Sequence, residues 1–119
     1  MLILDTHIVL FAIKGSLTPG EERSLSRDQW SISAIVLWEI ARLVQLNRID
    51  LDIDSPEFTR FVSRLHVWPL TLEICNAIRR LDFRGDPADE IIAATSLVHR
   101  VPLVTRDRRI RQSKIIRFA

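Results

Sequence analysis

Acidic side chains recur where strand-like sequence gives way to helix-like sequence, and once on an otherwise apolar helix. Asp5 ends the run Met1-Leu2-Ile3-Leu4, Glu39 interrupts a hydrophobic helical stretch, Asp86-Pro87-Ala88-Asp89-Glu90 opens another helix, and Asp107 follows Leu103-Val104-Thr105-Arg106. A carboxylate set against apolar neighbours costs about several kcal/mol unless its charge is compensated. Where several acids converge, a divalent cation is the usual compensator. Hard oxygen ligands favour Mg²⁺ or Mn²⁺ over zinc or copper. His7, His66 and His99 have no ligand-like spacing and no Cys partners, which argues against a zinc site.

Each acid also has a purely structural reading. Asp5 and Asp107 both stand where a helix N-cap is wanted, and strand-end Asp residues are often caps. Asp86 before Pro87 is a strong cap signal, and acids in the following turn complement the helix dipole. Asp89 is followed by Ile91-Ile92-Ala93-Ala94-Thr95, small and apolar enough to pack closely, so of the three it is the acid expected to face inward. Glu39 has Ile35, Val36 and Leu43 at helical spacing around it and only Arg42 as a nearby cation, while Leu37, Ile40, Ala41 and Val44 form the expected core stripe. A Glu so placed is either paired with a buried Arg or belongs to a site. Thr6 and Thr105 each flank a strand-end acid, where a hydroxyl orients a carboxylate or serves as a local cap.

The elements that must hold these groups alternate. Strands are expected at Met1 to Leu4, Trp30 to Ser33, His66 to Leu70, Pro102 to Thr105 and Ile115 to Phe118. Helices are expected at His7 to Ile13, Glu21 to Ser26, Ala34 to Leu46, Pro56 to Leu65, Thr71 to Leu81, Pro87 to about His99 and Asp107 to Arg111. The pattern predicts a small α/β sandwich, a mainly parallel sheet covered by helices on both faces. In such folds ligands bind outside the carboxyl ends of the strands, the edge to which Asp5 and Asp107 belong.

With 119 residues, 47% of them hydrophobic, the chain is expected to form a single domain over residues 1–119. No stretch reaches the roughly 18 apolar residues of a membrane span, and no basic leader precedes the first strand, so the cytosol is the expected location. The lone Cys75 lies among Leu72, Ile74 and Ile78 and reads as buried filler. The formal charge of +2 conceals an asymmetry: residues 100–119 hold seven basic side chains against one acid, an excess of +6, leaving −4 on the remainder. Basic residues beside an acidic centre suit a polyanion held by its phosphates, with Arg106, Arg108, Arg109 and Arg111 as candidates; an ordinary solvated surface or a dock for an acidic protein has the same composition.

Four segments now stand in order: Leu4-Asp5-Thr6-His7, Ser33-Ala34-x-x-Leu37-Trp38-Glu39-Ile40-Ala41, Asp86-Pro87-Ala88-Asp89-x-Ile91-Ile92-Ala93-Ala94-Thr95, and Leu103-Val104-Thr105-Arg106-Asp107. Together they resemble the PIN domain, most closely the VapC-type ribonuclease toxins of prokaryotic toxin-antitoxin pairs. The resemblance implies a three-layer PIN-like sandwich and a Mg²⁺- or Mn²⁺-dependent endoribonuclease. It implies Asp5, Glu39, Asp89 and Asp107 as catalytic and metal-ligating acids; Asp86, Thr6 and Thr105, by their own positions beside these acids, are the candidate supporting residues. It also implies a homodimer and a cognate VapB-like antitoxin, in a heterotetramer or larger assembly. Two departures stand out: Val36 replaces the Ser or Thr frequent three residues before the helix Glu, and Glu90 replaces an Arg frequent after the third Asp. The rival readings are a non-catalytic module that binds nucleic acid or protein through the basic C-terminal segment, and an aspartyl-phosphate protein with Asp5 as acceptor, which would leave Glu39 without a role.

Overall fold

Short apolar runs buried on both faces make the strands, as a parallel sheet requires. In the computed structural model, which describes all 119 residues, β1 (Leu2–Leu4) is buried at every position. It is followed by α1 (Thr6–Lys14), α2 (Pro19–Leu25), β2 (Trp30–Ser33), α3 (Ala34–Gln45), α4 (Pro56–Ser63), β3 (His66–Trp68), α5 (Leu72–Ala77) with a 3₁₀ turn (Ile78–Arg80), α6 (Pro87–His99), β4 (Leu103–Val104) and α7 (Arg108–Arg111). The four strands are parallel in the order β3-β2-β1-β4, and helices flank the sheet in a three-layer α/β arrangement. The chain winds from β1 outward through β2 to β3, then returns to place β4 on the other side of β1. The direction of winding therefore reverses between β1 and β4, the place where open α/β sheets form their ligand crevice.

The core is built from Ile3, Leu4, Ile8, Ile32, Ile40, Ile92 and Leu103, all essentially inaccessible to solvent. The helix α6 is buried along most of its length at Ala88, Ile92, Ala93, Ala94, Thr95 and Ser96. Its small side chains allow close approach to α3, α5 and β2, all of which it contacts. Ser31 stitches the sheet: its hydroxyl donates to the Leu2 carbonyl at 2.9 Å and accepts from the Trp68 indole at 2.9 Å. No helix is long and apolar enough to cross a membrane.

The elements depart from expectation in five places. Helix α2 begins two residues before Glu21, because Thr18 and Glu21 close a reciprocal capping box around Pro19-Gly20. The Thr71 to Leu81 helix breaks after Ala77 into the 3₁₀ turn. The last expected strand is reduced to one bridge between Leu103 and Phe118, since Asp82 pins Ser113 and Lys114 into a turn at 2.6 and 2.7 Å. Cys75 is exposed, because only Ile74 and Ala77 of the short α5 are buried. On α3 the fully buried positions are Val36 and Ile40, while Leu37 is half-buried.

Ile92 sits at the centre of this packing with no exposed surface. Ile92→Ala is expected to lower unfolding stability by about 2–5 kcal/mol, the range for deleting a buried aliphatic side chain. Urea unfolding followed by circular dichroism measures this, and a loss under about 1 kcal/mol would contradict the central placement of α6.

Candidate functional site

The carboxyl ends of β1 and β4 are tied together by side chains. Asp5 is only 5% exposed; one of its oxygens accepts from the Thr6 amide at 2.8 Å, and the other accepts from the Thr105 hydroxyl at 2.6 Å. The cap reading of Asp5 is thus met in part, at the first amide of α1, while the second oxygen looks toward β4. The Thr105 oxygen also accepts from the Asp107 amide at 3.1 Å, so one hydroxyl sets the position of both acids. Asp107, exposed, caps α7 through the Ile110 amide at 3.1 Å.

Glu39 reaches the same region from α3. It forms no ion pair with any Arg; instead the Thr6 hydroxyl donates to its carboxylate. Burial raises its pKa, the Thr6 hydrogen bond opposes that rise, and the charge of Asp5 adds to it. Val36, which has no hydroxyl to offer, is fully buried in the core, and the hydroxyl on Glu39 comes from α1.

Asp89, in the first turn of α6, is the most perturbed acid of the group. Burial, followed by the charges of Asp5, Glu39, Asp107 and Asp86, pushes its pKa up to about 6. A helix N-terminus ordinarily favours a carboxylate; here desolvation and four like charges outweigh it. Asp86 holds the N-cap backbone conformation, yet its side chain accepts no hydrogen bond from the helix. The cap that the sequence suggests is therefore not made, and Asp86 instead joins Asp89 and Asp107 in lining a cleft of about 560 Å³ with Arg108, Arg109, Phe83, Gly85 and Ile110. Gly85 lies beside the acid: a Cβ there would rest 3.5 Å from that of Asp89, in ordinary van der Waals contact. Its place in the cleft lining has no signal in the sequence beyond its being one of three glycines. Glu90 does not line the cleft.

The basic candidates divide. Arg106 is not free: it makes a paired hydrogen bond to Glu21 at 2.7 Å on each side, donates to the Ser16 carbonyl at 3.2 Å and lies 3.8 Å over the Phe11 ring. The guanidinium of Arg106 holds the Glu21 carboxyl down at about 2. Arg111 donates to the Thr105 carbonyl at 3.1 Å and lies 5.2 Å from Phe118. Both brace the strand-end loop, and neither lines the cleft, which leaves Arg108 and Arg109 there. The bracing role of Glu21 has no sequence signal, since nothing in the spacing links residues 85 positions apart.

Asp5, Glu39, Asp86, Asp89 and Asp107 form no ion pair; the chain's three pairs lie elsewhere. No three of its His, Cys, Asp or Glu side chains stand close enough to grip one ion directly, so these acids share a field more than a point. In kind the donors fit a hard divalent cation, being oxygen only and mutually repulsive. An ion held by one or two carboxylates with water completing its shell is the ordinary manner of Mg²⁺.

The raised pKa values fix a sign. Between the ordinary carboxyl value and about 6 the folded protein keeps a proton on Asp89 that the unfolded chain has lost, so stability falls as pH rises through that window and the penalty persists above it. In chelator, Asp89→Asn is expected to melt higher than the parent at pH 7.5, with the gap closing below about pH 4. Thermal melts across pH test this; equal melting temperatures at neutral pH would show that the acids do not repel.

Comparison with known proteins bears on the family and the fold. The sequence model of the PIN domain matches residues 2–115. Ribonuclease VapC22 of Mycobacterium tuberculosis is 29% identical over 120 aligned positions, covering 95% of this chain and 92% of the relative. Among solved structures, a chain of VapBC2 from Rickettsia felis bound to a DNA fragment from its promoter superposes with a TM-score of 0.71 at 19% identity, over 99% of this chain and 96% of that one. A chain of DNA-bound VapBC from Salmonella typhimurium gives 0.70 at 24%, over 100% and 98%. Its parallel sheet, the acids at the carboxyl edge and the match over nearly its full length have one account: this chain belongs to the PIN domain family.

Proposed function

We propose that the protein is a divalent-metal-dependent endoribonuclease, a single PIN domain that acts in the cytosol as the toxin of a toxin-antitoxin pair. The observation that carries this reading is the group of five acids without a cationic partner where β1 and β4 end, in a chain of the PIN family. In this reading the cation, Mg²⁺ or Mn²⁺, sits among Asp5, Glu39, Asp89 and Asp107, one or two of them binding it directly and the others through water, and Asp86 adds charge at the rim. A cation bound there supplies a water of lowered pKa and an electrophile for the phosphate oxygens.

The chain's own groups prepare the reaction. Thr105 and the Thr6 amide fix both oxygens of Asp5, so that carboxylate needs no reorganisation when substrate arrives. Thr6 turns Glu39 toward the same edge. Asp89, with its pKa pushed up to about 6, is suited to take a proton from an attacking water or to be drawn into its anionic form by a cation. Arg108, and the side of the Arg109 guanidinium not bonded to the Arg84 carbonyl, face the phosphate backbone of the RNA in this reading.

The VapBC structures similar in fold motivate a VapB-like antitoxin as partner, with a toxin homodimer in a heterotetramer or larger assembly. An apolar groove of about 490 Å³ between α3 and α4, lined by Leu37, Ala41, Ile53, Phe58 and Val62, suits the apolar face of a partner helix.

Purified protein is expected to cleave single-stranded RNA with Mg²⁺ or Mn²⁺ and to stop in chelator. Asp89→Asn and Glu39→Gln are each expected to lower kcat/KM by about 100-fold or more while remaining folded. Cleavage that persists without metal, or unaltered rates in both variants, would refute the proposal. RNA binding without any metal-dependent cleavage would favour a binding module instead.

A further inference from the structure

The basic residues that crowd the end of the sequence separate in space. Arg108 and Arg109 line the acidic cleft, whereas Arg80, Arg100 and Arg117 line a different hollow of about 210 Å³. These three come from the 3₁₀ turn, the C-cap of α6 and the segment bridged to β4. Helix α6 runs between the two places: Asp86 and Asp89 stand at its beginning and Arg100 at its end. Thirteen residues at about 1.5 Å each separate them by about 20 Å.

None of the three guanidiniums is neutralised. The chain's ion pairs lie elsewhere, and its arginine hydrogen bonds are made by Arg79, Arg84, Arg106, Arg109 and Arg111. Asp82, the nearest acid in sequence to Arg80, is spent on the Ser113 hydroxyl and the Lys114 amide. That clamp fixes the turn leading to Arg117. Glu73 shares a neighbouring hollow with Arg80 but forms no ion pair with it. The Ser96 hydroxyl is spent on the Val101 carbonyl at 2.7 Å, which fixes the turn carrying Arg100. Arg100 itself has φ of 56°, a conformation that suits glycine far better than a long side chain. The negative end of the α6 dipole accounts for one cation at this place. It does not account for three.

We infer that this hollow is a second phosphodiester site, which holds the backbone of an RNA whose reacting segment lies in the cleft at the other end of α6. The inference rests on the reading of RNA as substrate. Planar guanidinium forks match phosphate oxygens, and an anion between them relieves their mutual repulsion. Single-strand sites on other small domains, about 4–16 nucleotides for an OB fold, are long enough to reach across about 20 Å.

Fluorescence anisotropy of a labelled single-stranded RNA, in chelator and over a series of salt concentrations, tests the site without cleavage. The combined variant Arg80→Gln, Arg100→Gln, Arg117→Gln is expected to bind about 10-fold or more weaker, with the slope of log affinity against log salt reduced by about 2, near 0.7 for each phosphate no longer neutralised. A control that removes the same charge from the exposed Arg27, Arg48 and Arg64 is expected to bind less than about 3-fold weaker. Arg100→Gly removes one guanidinium where the backbone already suits glycine, so its weaker binding does not come from misfolding. Equal weakening in the two combined variants, or none in either, would overturn the inference. So would dependence of poly-glutamate binding, but not RNA binding, on the three arginines, which would assign the hollow to an acidic protein. Arginine-dependent binding in a protein that cleaves no RNA with any metal would uphold this site and sink the nuclease reading; cleavage with binding indifferent to the three arginines would do the reverse.

Discussion

The hydrogen bond from Thr105 to Asp5 joins the ends of two strands whose positions are a hundred residues apart in sequence. It spans the place where the sheet's winding changes direction, and such places leave a crevice that no crossover helix fills. The acids from α3 and α6 extend into the field around that crevice, so their mutual repulsion is a property of the topology. Thr6 and Thr105 limit this cost by supplying hydrogen bonds to Glu39 and Asp5, which no positive side chain pairs. The fold thus keeps a charge imbalance at one edge and bears it through good packing elsewhere.

Arginine contributes to this arrangement in two different ways. Arg106 and Arg111 are structural, fastening the strand-end loop to Glu21, Ser16 and the Thr105 carbonyl. Arg108 and Arg109, between them in sequence, line the cleft. Within α7 itself Arg111 fastens the loop while Arg108 and Arg109 line the cleft, Arg109 also donating to the Arg84 carbonyl at 2.9 Å.

Much of this is legible in sequence because strand ends and helix starts carry local signals. Asp5 and Asp107 can be placed at one edge from the alternation of elements alone, and Pro87 marks the beginning of α6 within a residue. What escapes is non-local. The expected strand over Ile115 to Phe118 has adequate β-forming residues, but the Asp82 clamp, made from about thirty residues away, curls the chain just before it into a turn. Asp86 has every local mark of a capping side chain and yet makes no cap. Val36 lacks the hydroxyl that a site beside Glu39 calls for, and that hydroxyl arrives from Thr6, on a helix thirty-three residues earlier. Pattern identifies which residues are special, whereas partners across the fold decide what each one does.

The single bridge at Phe118 has a consequence for association. Backbone groups of Leu103 bond to Arg117 and Ala119 at 2.8 and 3.2 Å, so the outer side of β4 offers little to another chain. The opposite border of the sheet, β3, is three residues long and followed at once by Pro69. A strand so short, ended by a residue with no amide proton, is a poor template for a neighbour's backbone. Both margins of the sheet are therefore blunted by different means, one covered by the tail and one cut short by proline. Removing the last three residues would bare β4 and turn a closed margin into a surface on which copies could stack strand to strand.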